Sequence, residues 1–191
     1  MDDLETLRRK LDEIYLPLEQ EGINGMRLLP QQNAGMGAAE AERLLNVRFP
    51  KQFAEIISRY DLGNFETNNI RFGSRGDYLR ELAAWNRPDE WGGKWWQGAN
   101  RPKDLIVFAM SDPYTYILNC ADGTVCAMLP DDPWQTWRTV SCGFGIFLRS
   151  MAASDIGRIR QHPTENLLRE ILAATQSTES GFWRDNVEGN W

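Results

Sequence analysis

The sequence predicts an α+β fold, with a central antiparallel sheet of about four to six strands flanked by N-terminal and C-terminal helices. Three observations carry this. Apolar residues recur at helical spacing at both ends, at Leu4, Leu7, Leu11, Ile14 and Leu18 and again at Leu167, Leu168, Ile171 and Leu172, as in helices that bury one face. Between them, Leu105-Ile106-Val107-Phe108-Ala109 is a continuous apolar run with the length of a buried strand. Tyr114 to Leu118 and Thr124 to Leu129 are two further strand-like runs, joined by Ala121-Asp122-Gly123. That junction is turn chemistry, in which glycine supplies the positive φ of a hairpin.

The elements follow in order. Asp2 or Asp3 caps the first helix, which ends between Pro17 and Gly22; Asn24-Gly25 then marks a turn and Leu28 to Gly37 a loop. Ala38 to Leu45 reads as a short helix. Pro50 suits the first position of the next one, where its missing N–H is no loss. Phe53, Ile56, Ile57 and Tyr60 form that helix's buried stripe, and Gly63 is the expected stop. Phe65 to Phe72 reads as one strand and Gly73 to Gly76 as a turn. Asp77 to Asn86 returns to helical spacing through Tyr78, Leu79, Leu82 and Trp85 until Pro88 ends it. Trp91 to Asn100 is irregular. Thr136 to Val140 is a fourth strand of the central group, and Ser141 caps a helix carrying Phe144, Phe147, Leu148 and Met151. Pro163 starts a last helix. The tail after Thr175 is polar and reads as loose, with Phe182, Trp183 and Trp191 as residues that dock it.

Composition bounds the function. The chain has 191 residues, 42% hydrophobic and 25% charged, which fits one domain with its own core rather than a disordered chain. Its formal net charge is -6. Such a surface repels phosphate backbones, and no basic patch stands out, so nucleic acid is not expected as a partner. The acidity is read either as ordinary solubility charge or as steering for a basic protein. Cys120, Cys126 and Cys142 are odd in number and form no CxxC pair, which argues against a disulfide framework or a zinc site. With an acidic start, no apolar leader and no run long enough to span a bilayer, the expectation is a cytoplasmic protein with no membrane partner.

Chemistry is hard to find. His162 is the sole histidine and precedes Pro163; no nucleophile elbow or cysteine signature accompanies it. Gly35-Met36-Gly37 and Gly143-Phe144-Gly145 do not extend into phosphate-binding motifs. The adjacent carboxylates Asp89-Glu90 and Asp131-Asp132 do not face each other as an acid/base pair would. Each abuts a tryptophan, Trp91 or Trp134, and is read as a solvated turn or as a binding rim around an aromatic anchor. Trp96 and Trp85 are read as packed, whereas Trp91 and Trp95 are open between a lid over the sheet and an exposed platform. No catalytic residue, metal site or cofactor is expected.

Two blocks carry a resemblance. The first runs from Glu42-Arg43-Leu44-Leu45 through Phe49-Pro50 and Phe53, Ile56 and Ile57 to Asp61-Leu62-Gly63. The second holds Leu105 to Ala109, Tyr114 to Leu118, Asp122-Gly123, Val125 to Leu129 and the segment from Ser141 to Leu148. Together they resemble the SUKH superfamily, domains similar to the fungal cell-wall assembly regulator and widespread in bacteria as immunity proteins. The resemblance is strongest over 38–151 and leaves the first helix and the C-terminal helix and tail outside. The chain departs from the family pattern at Asp61-Leu62-Gly63, where Asn-Gly-Gly is common, at Asn119, where aspartate is common, and in the 77–100 stretch, which reads as an insertion.

What the resemblance implies is a single SUKH-like domain over 1–191 that binds rather than catalyses. It would cover the active site of a cognate, basic protein toxin and exclude its substrate; many such toxins are nucleases with cationic clefts. The residues expected to meet the partner are exposed acids and aromatics on loops: Asp89, Glu90, Trp91, Asp112, Tyr114, Asp131, Asp132 and Trp134. Charge reversal at Asp131 and Asp132 is expected to slow association. Two other readings stand beside this one, a regulatory or scaffolding module of the fungal-regulator kind and a carbohydrate or small-ligand module using Trp91 to Trp96. The sequence leaves the oligomeric state open.

Overall fold

A computed structural model describes residues 1–32, 35–87, 101–129 and 136–190. Among them are seven α-helices and one sheet of six strands. Helix α1 (Leu4–Tyr15) starts at Asp3, whose Oδ1 accepts the Thr6 N–H at 2.7 Å, and buries Leu7, Leu11 and Tyr15. A 3-10 turn (Pro17–Glu21) follows and closes at Gly22 with φ 91°. Helices α2 (Ala38–Leu45) and α3 (Lys51–Arg59) come next, with Pro50 just outside α3 as its cap. The expected pair of helices around Phe49-Pro50 is thus present.

The sheet is a meander. Strands β1 (Glu66–Thr67), β2 (Ile70–Arg71), β3 (Leu105–Met110), β4 (Thr115–Asn119), β5 (Val125–Met128) and β6 (Arg138–Ser141) pair in chain order, each antiparallel to the next. The β4–β5 turn has Gly123 at φ 83°. Asp122 Oδ1 accepts the Thr124 N–H at 2.8 Å, which locks the turn. Helix α4 (Tyr78–Trp85) is capped by Asp77 and lies against β3. There Asn86 Oδ1 accepts the Val107 N–H at 2.9 Å, and Asn86 Nδ2 donates to the Val107 carbonyl at 2.8 Å. A side-chain amide therefore does for β3 what a neighbouring strand would do, beside the register shift between Val107 and Ala109.

Both faces of the central strands are buried. On one, Phe108 meets Phe144 at 5.3 Å and Phe147 at 5.7 Å between ring centres. On the other, Leu105, Val107, Ile117, Cys126 and Met128 form a second apolar cluster, with Met110 and Trp137 packed against it. That is why β3 reads as an unbroken apolar run rather than an alternating one. The helix over the first face is α5 (Phe144–Ile159), which touches α1, α3, α6 (Thr164–Thr175), α7 (Ser180–Glu188) and β6. It is buried almost all round and hence carries little amphipathic signal.

Four expectations are corrected. Phe65 to Phe72 is not one strand but a tight hairpin, because Asn68 (φ 48°) and Asn69 (φ 64°) both take the left-handed backbone that a two-residue turn requires. Gly63 does not end α3; that helix stops at Arg59, and Tyr60 beyond it is extended. Glycine is needed at 63 because an added Cβ would lie 2.6 Å from the Gly76 carbonyl carbon. Ser141 ends β6 instead of capping α5: its Oγ donates to the Gly143 carbonyl at 3.0 Å, and Gly143 is the cap. The polar tail after Thr175 contains α7, anchored by buried Phe182 and Trp183. Trp183 Nε1 donates to the Val140 carbonyl at 2.9 Å. Trp191 lies outside the described residues, as does Pro88 as a helix stop.

Candidate functional site

At one end of the sheet the β1–β2 turn, the β3–β4 turn and α7 converge. Asn68 Nδ2 donates to the Asn186 carbonyl at 3.0 Å and to Asn186 Oδ1 at 3.1 Å, tying the β1–β2 turn to α7. Asn186 Nδ2 in turn donates to the Phe182 carbonyl one turn back at 2.8 Å. Asn69 Nδ2 donates to the Asp112 carbonyl at 3.0 Å, which joins the two turns. The β3–β4 turn is closed by the Ser111 N–H on the Tyr114 carbonyl at 2.7 Å. Tyr114 packs edge-on against Phe182 with ring centres 5.2 Å apart.

These contacts enclose a notch of about 10 Å³. Asn68, Asp112, Tyr114, Tyr116 and Asp185 are among its lining residues. Asp112 is exposed and Asp185 half-buried. Neither carboxylate has a salt-bridge or hydrogen-bond partner among the described residues. Acids elsewhere are commonly engaged: Asp12 with Arg8 and Arg27, Glu19 with Arg27, and Asp155 with Arg158. Tyr116 Oη accepts from Ser111 Oγ at 3.3 Å, and burial holds the Tyr116 hydroxyl well above the ordinary tyrosine range. The notch therefore presents uncharged phenols and two carboxylates.

The structure brings Asp112 and Tyr114 together, two of the eight residues expected from sequence to meet a partner. Asp89, Glu90, Trp91, Asp131, Asp132 and Trp134 lie outside the described residues. Asn68, Asn69 and Asp185 were not among the expected residues. Asn68 and Asn186 are 118 positions apart, and no local spacing announces such a pairing; the Asn68-Asn69 pair is the one signal that marks a turn there.

Other chemistry-bearing groups are accounted for structurally. Cys120 lines a broader groove of about 580 Å³ with Glu42, Arg43, Arg48, Lys103 and Asp104, and burial pushes its thiol up to about 12, which suppresses nucleophilicity. Burial also raises the Cys126 thiol. His162 is exposed in the α5–α6 turn, where its backbone N–H donates to the Gly157 carbonyl at 2.8 Å. Buried Glu81 accepts from the Ser74 N–H at 3.0 Å and from the Arg75 N–H, and so shapes the turn before α4. Among the described residues no group of three or more His, Cys, Asp or Glu side chains is placed to hold a metal ion. No helix described is long and apolar enough to cross a membrane.

No protein-family model matches the chain, and no curated protein matches it.

Proposed function

We propose that the protein is a non-enzymatic binding protein that neutralises a basic protein toxin by covering its active site. The observation that carries this reading is the end of the sheet where Asp112 and Asp185 stand without ionic partners among the described residues, beside the aromatic pair Tyr114 and Phe182. Carboxylates in this state offer their full charge to an incoming cation. An aromatic held against a packed neighbour offers contact area at little entropic cost. Most of the surrounding polar groups are tied into backbone hydrogen bonds, so the face is pre-organised and binding orders little that is not already ordered.

The overall charge of -6 supports the same reading, since it accelerates encounter with a basic surface and suppresses encounter with nucleic acid. The resemblance of the 38–151 stretch to SUKH immunity proteins agrees with it. The mechanism is steric: no bond is made or broken by this chain, and the toxin's substrate is excluded by the bound face. In such a role the protein acts in the cytoplasm.

The test is affinity capture from the native cells with mass spectrometry, followed by an activity assay of the captured protein. The expected result is a basic protein whose toxic activity disappears at one equivalent of this chain. A captured toxin that stays fully active in the complex, or capture of acidic partners only, contradicts the reading.

A further inference from the structure

Two places in the sequence set glycine directly after a side chain that can close a five-membered ring on the main chain, Asn24-Gly25 and Asp122-Gly123. The fold treats them oppositely. At the second, the Gly123 N–H donates to the Asn119 carbonyl at 2.8 Å. The Asp122 carboxylate there accepts from the Thr124 N–H, the Thr124 hydroxyl and Asn119 Nδ2, so both would-be reacting groups are held elsewhere. At the first, Asn24 is exposed, and its side chain donates from Nδ2 to the Gly22 carbonyl at 3.1 Å. The Gly25 N–H has no partner among the described residues. Glycine is also required at 25, where φ is 87° and an added Cβ would lie 2.8 Å from the Asn64 carbonyl oxygen. The turn therefore demands the one residue type that leaves its own nitrogen unshielded by a side chain.

We propose that Asn24 is a site of spontaneous covalent modification in the folded chain, by deamidation through a cyclic imide. The Gly25 nitrogen attacks the Asn24 side-chain carbonyl carbon, Cγ. The N–Cγ bond forms, the Cγ–Nδ2 bond breaks, and the Gly25 amide proton leaves with Nδ2 as ammonia. Water then opens the imide, its hydroxyl adding to one carbonyl carbon and its proton returning to the nitrogen. Opening at Cγ gives aspartate; opening at the main-chain carbonyl gives isoaspartate, in which the chain runs through the former side chain and is one methylene longer. Either product adds a negative charge to a chain already at -6. The isoaspartate product also moves the Gly25 carbonyl, which accepts the Glu66 N–H at 2.8 Å and so holds the segment after α1 to the start of β1. The inference concerns the chain alone and does not depend on the partner.

The experiment ages the full-length chain in mildly alkaline buffer, folded and in urea, and follows its peptides by tandem mass spectrometry. In the folded chain the Asn24 peptide is expected to gain the mass difference between water and ammonia, as a mixture of aspartate and isoaspartate. That gain is expected at least about fivefold faster than at asparagines followed by a side chain. Isoaspartate at position 122 is expected to form at least about fivefold faster in urea than in the folded chain, whereas the Asn24 rate changes by less than about twofold. Asn24→Gln, an exposed change, is expected to abolish the signal, because closure then needs a six-membered ring. Hydrogen exchange at the Glu66 amide is expected to quicken by at least about threefold in the aged chain and to stay unchanged in the aged Asn24→Gln variant. An Asn24 that deamidates no faster than the other asparagines, or that deamidates only in urea, overturns the assignment. Unchanged Glu66 exchange in a fully converted chain overturns the link to β1.

Discussion

Asp155 shows how single residues hold this molecule together. Its side chain is 1% exposed in the middle of α5, and it accepts hydrogen bonds from the Tyr15 hydroxyl at 2.7 Å and from Arg158 Nη2 at 2.7 Å. Tyr15→Phe removes one of these donors from a buried carboxylate and is expected to lower unfolding free energy by about 1–3 kcal/mol, read from urea denaturation. The tyrosine itself gives a pH signature. Burial, then the Asp155 contact, holds the Tyr15 hydroxyl above the usual tyrosine range, and chiefly burial, partly offset by Arg101, pushes the Cys120 thiol up to about 12. Both groups bind their protons more tightly folded than unfolded. Their contributions are complete below the unfolded values, about 8.5 for a thiol and about 10 for a tyrosine. They are lost as pH rises beyond those values towards the folded ones. Denaturation midpoints should therefore fall between about pH 8.5 and 11, and Cys120→Ser should flatten the first part of that fall. A midpoint that does not move over this range contradicts the assignment.

At the scale of elements, the structure separates what local pattern encodes from what long-range contact decides. The helices of the 38–59 region and the three consecutive strands β3, β4 and β5 follow from spacing, from Pro50 and from Gly123, because each is specified within a few residues. The Asn68-Asn69 hairpin does not: the surrounding residues do not alternate, and asparagine signals a left-handed turn more weakly than glycine. Helix α7 was hidden for another reason. Its apolar pair, Phe182 and Trp183, sits in a stretch rich in Ser, Thr, Asn and Gly, and only docking onto β6 and α5 makes the segment worth ordering. Trp183→Ala removes that anchor and leaves the Val140 carbonyl without its donor; a loss of roughly 3–5 kcal/mol is expected, with loss of α7 signal in hydrogen exchange. Asn86→Ala strips β3 of both amide contacts at Val107 and should reduce stability by about 2–4 kcal/mol. The Asn86 contribution is unreadable from sequence because an asparagine at a helix end has many ordinary uses. Of the candidate site, sequence reached Asp112 and Tyr114 through loop placement and residue type. Asn68 and Asp185 join them only through the tertiary fold.

For the whole molecule, the decisive feature is that charge and shape coincide at one end of the sheet. The chain is net acidic with basic stretches of its own, so net charge alone does not identify a face. At the end formed by the β1–β2 turn, the β3–β4 turn and α7, two carboxylates without a partner among the described residues stand beside a hydrogen-bonded backbone and a packed aromatic pair. Electrostatic steering acts on the encounter rate and is screened by salt, with a Debye length of about 8 Å near physiological ionic strength. Contacts made after docking act on dissociation. The measurement that tests this most directly is the association rate of the captured partner with the wild-type chain and with the Asp112→Lys, Asp185→Lys double variant, taken across a salt series. The account predicts association slowed by about tenfold at low salt, with the difference closing as salt is raised; equal association rates for the two proteins at low salt would contradict it.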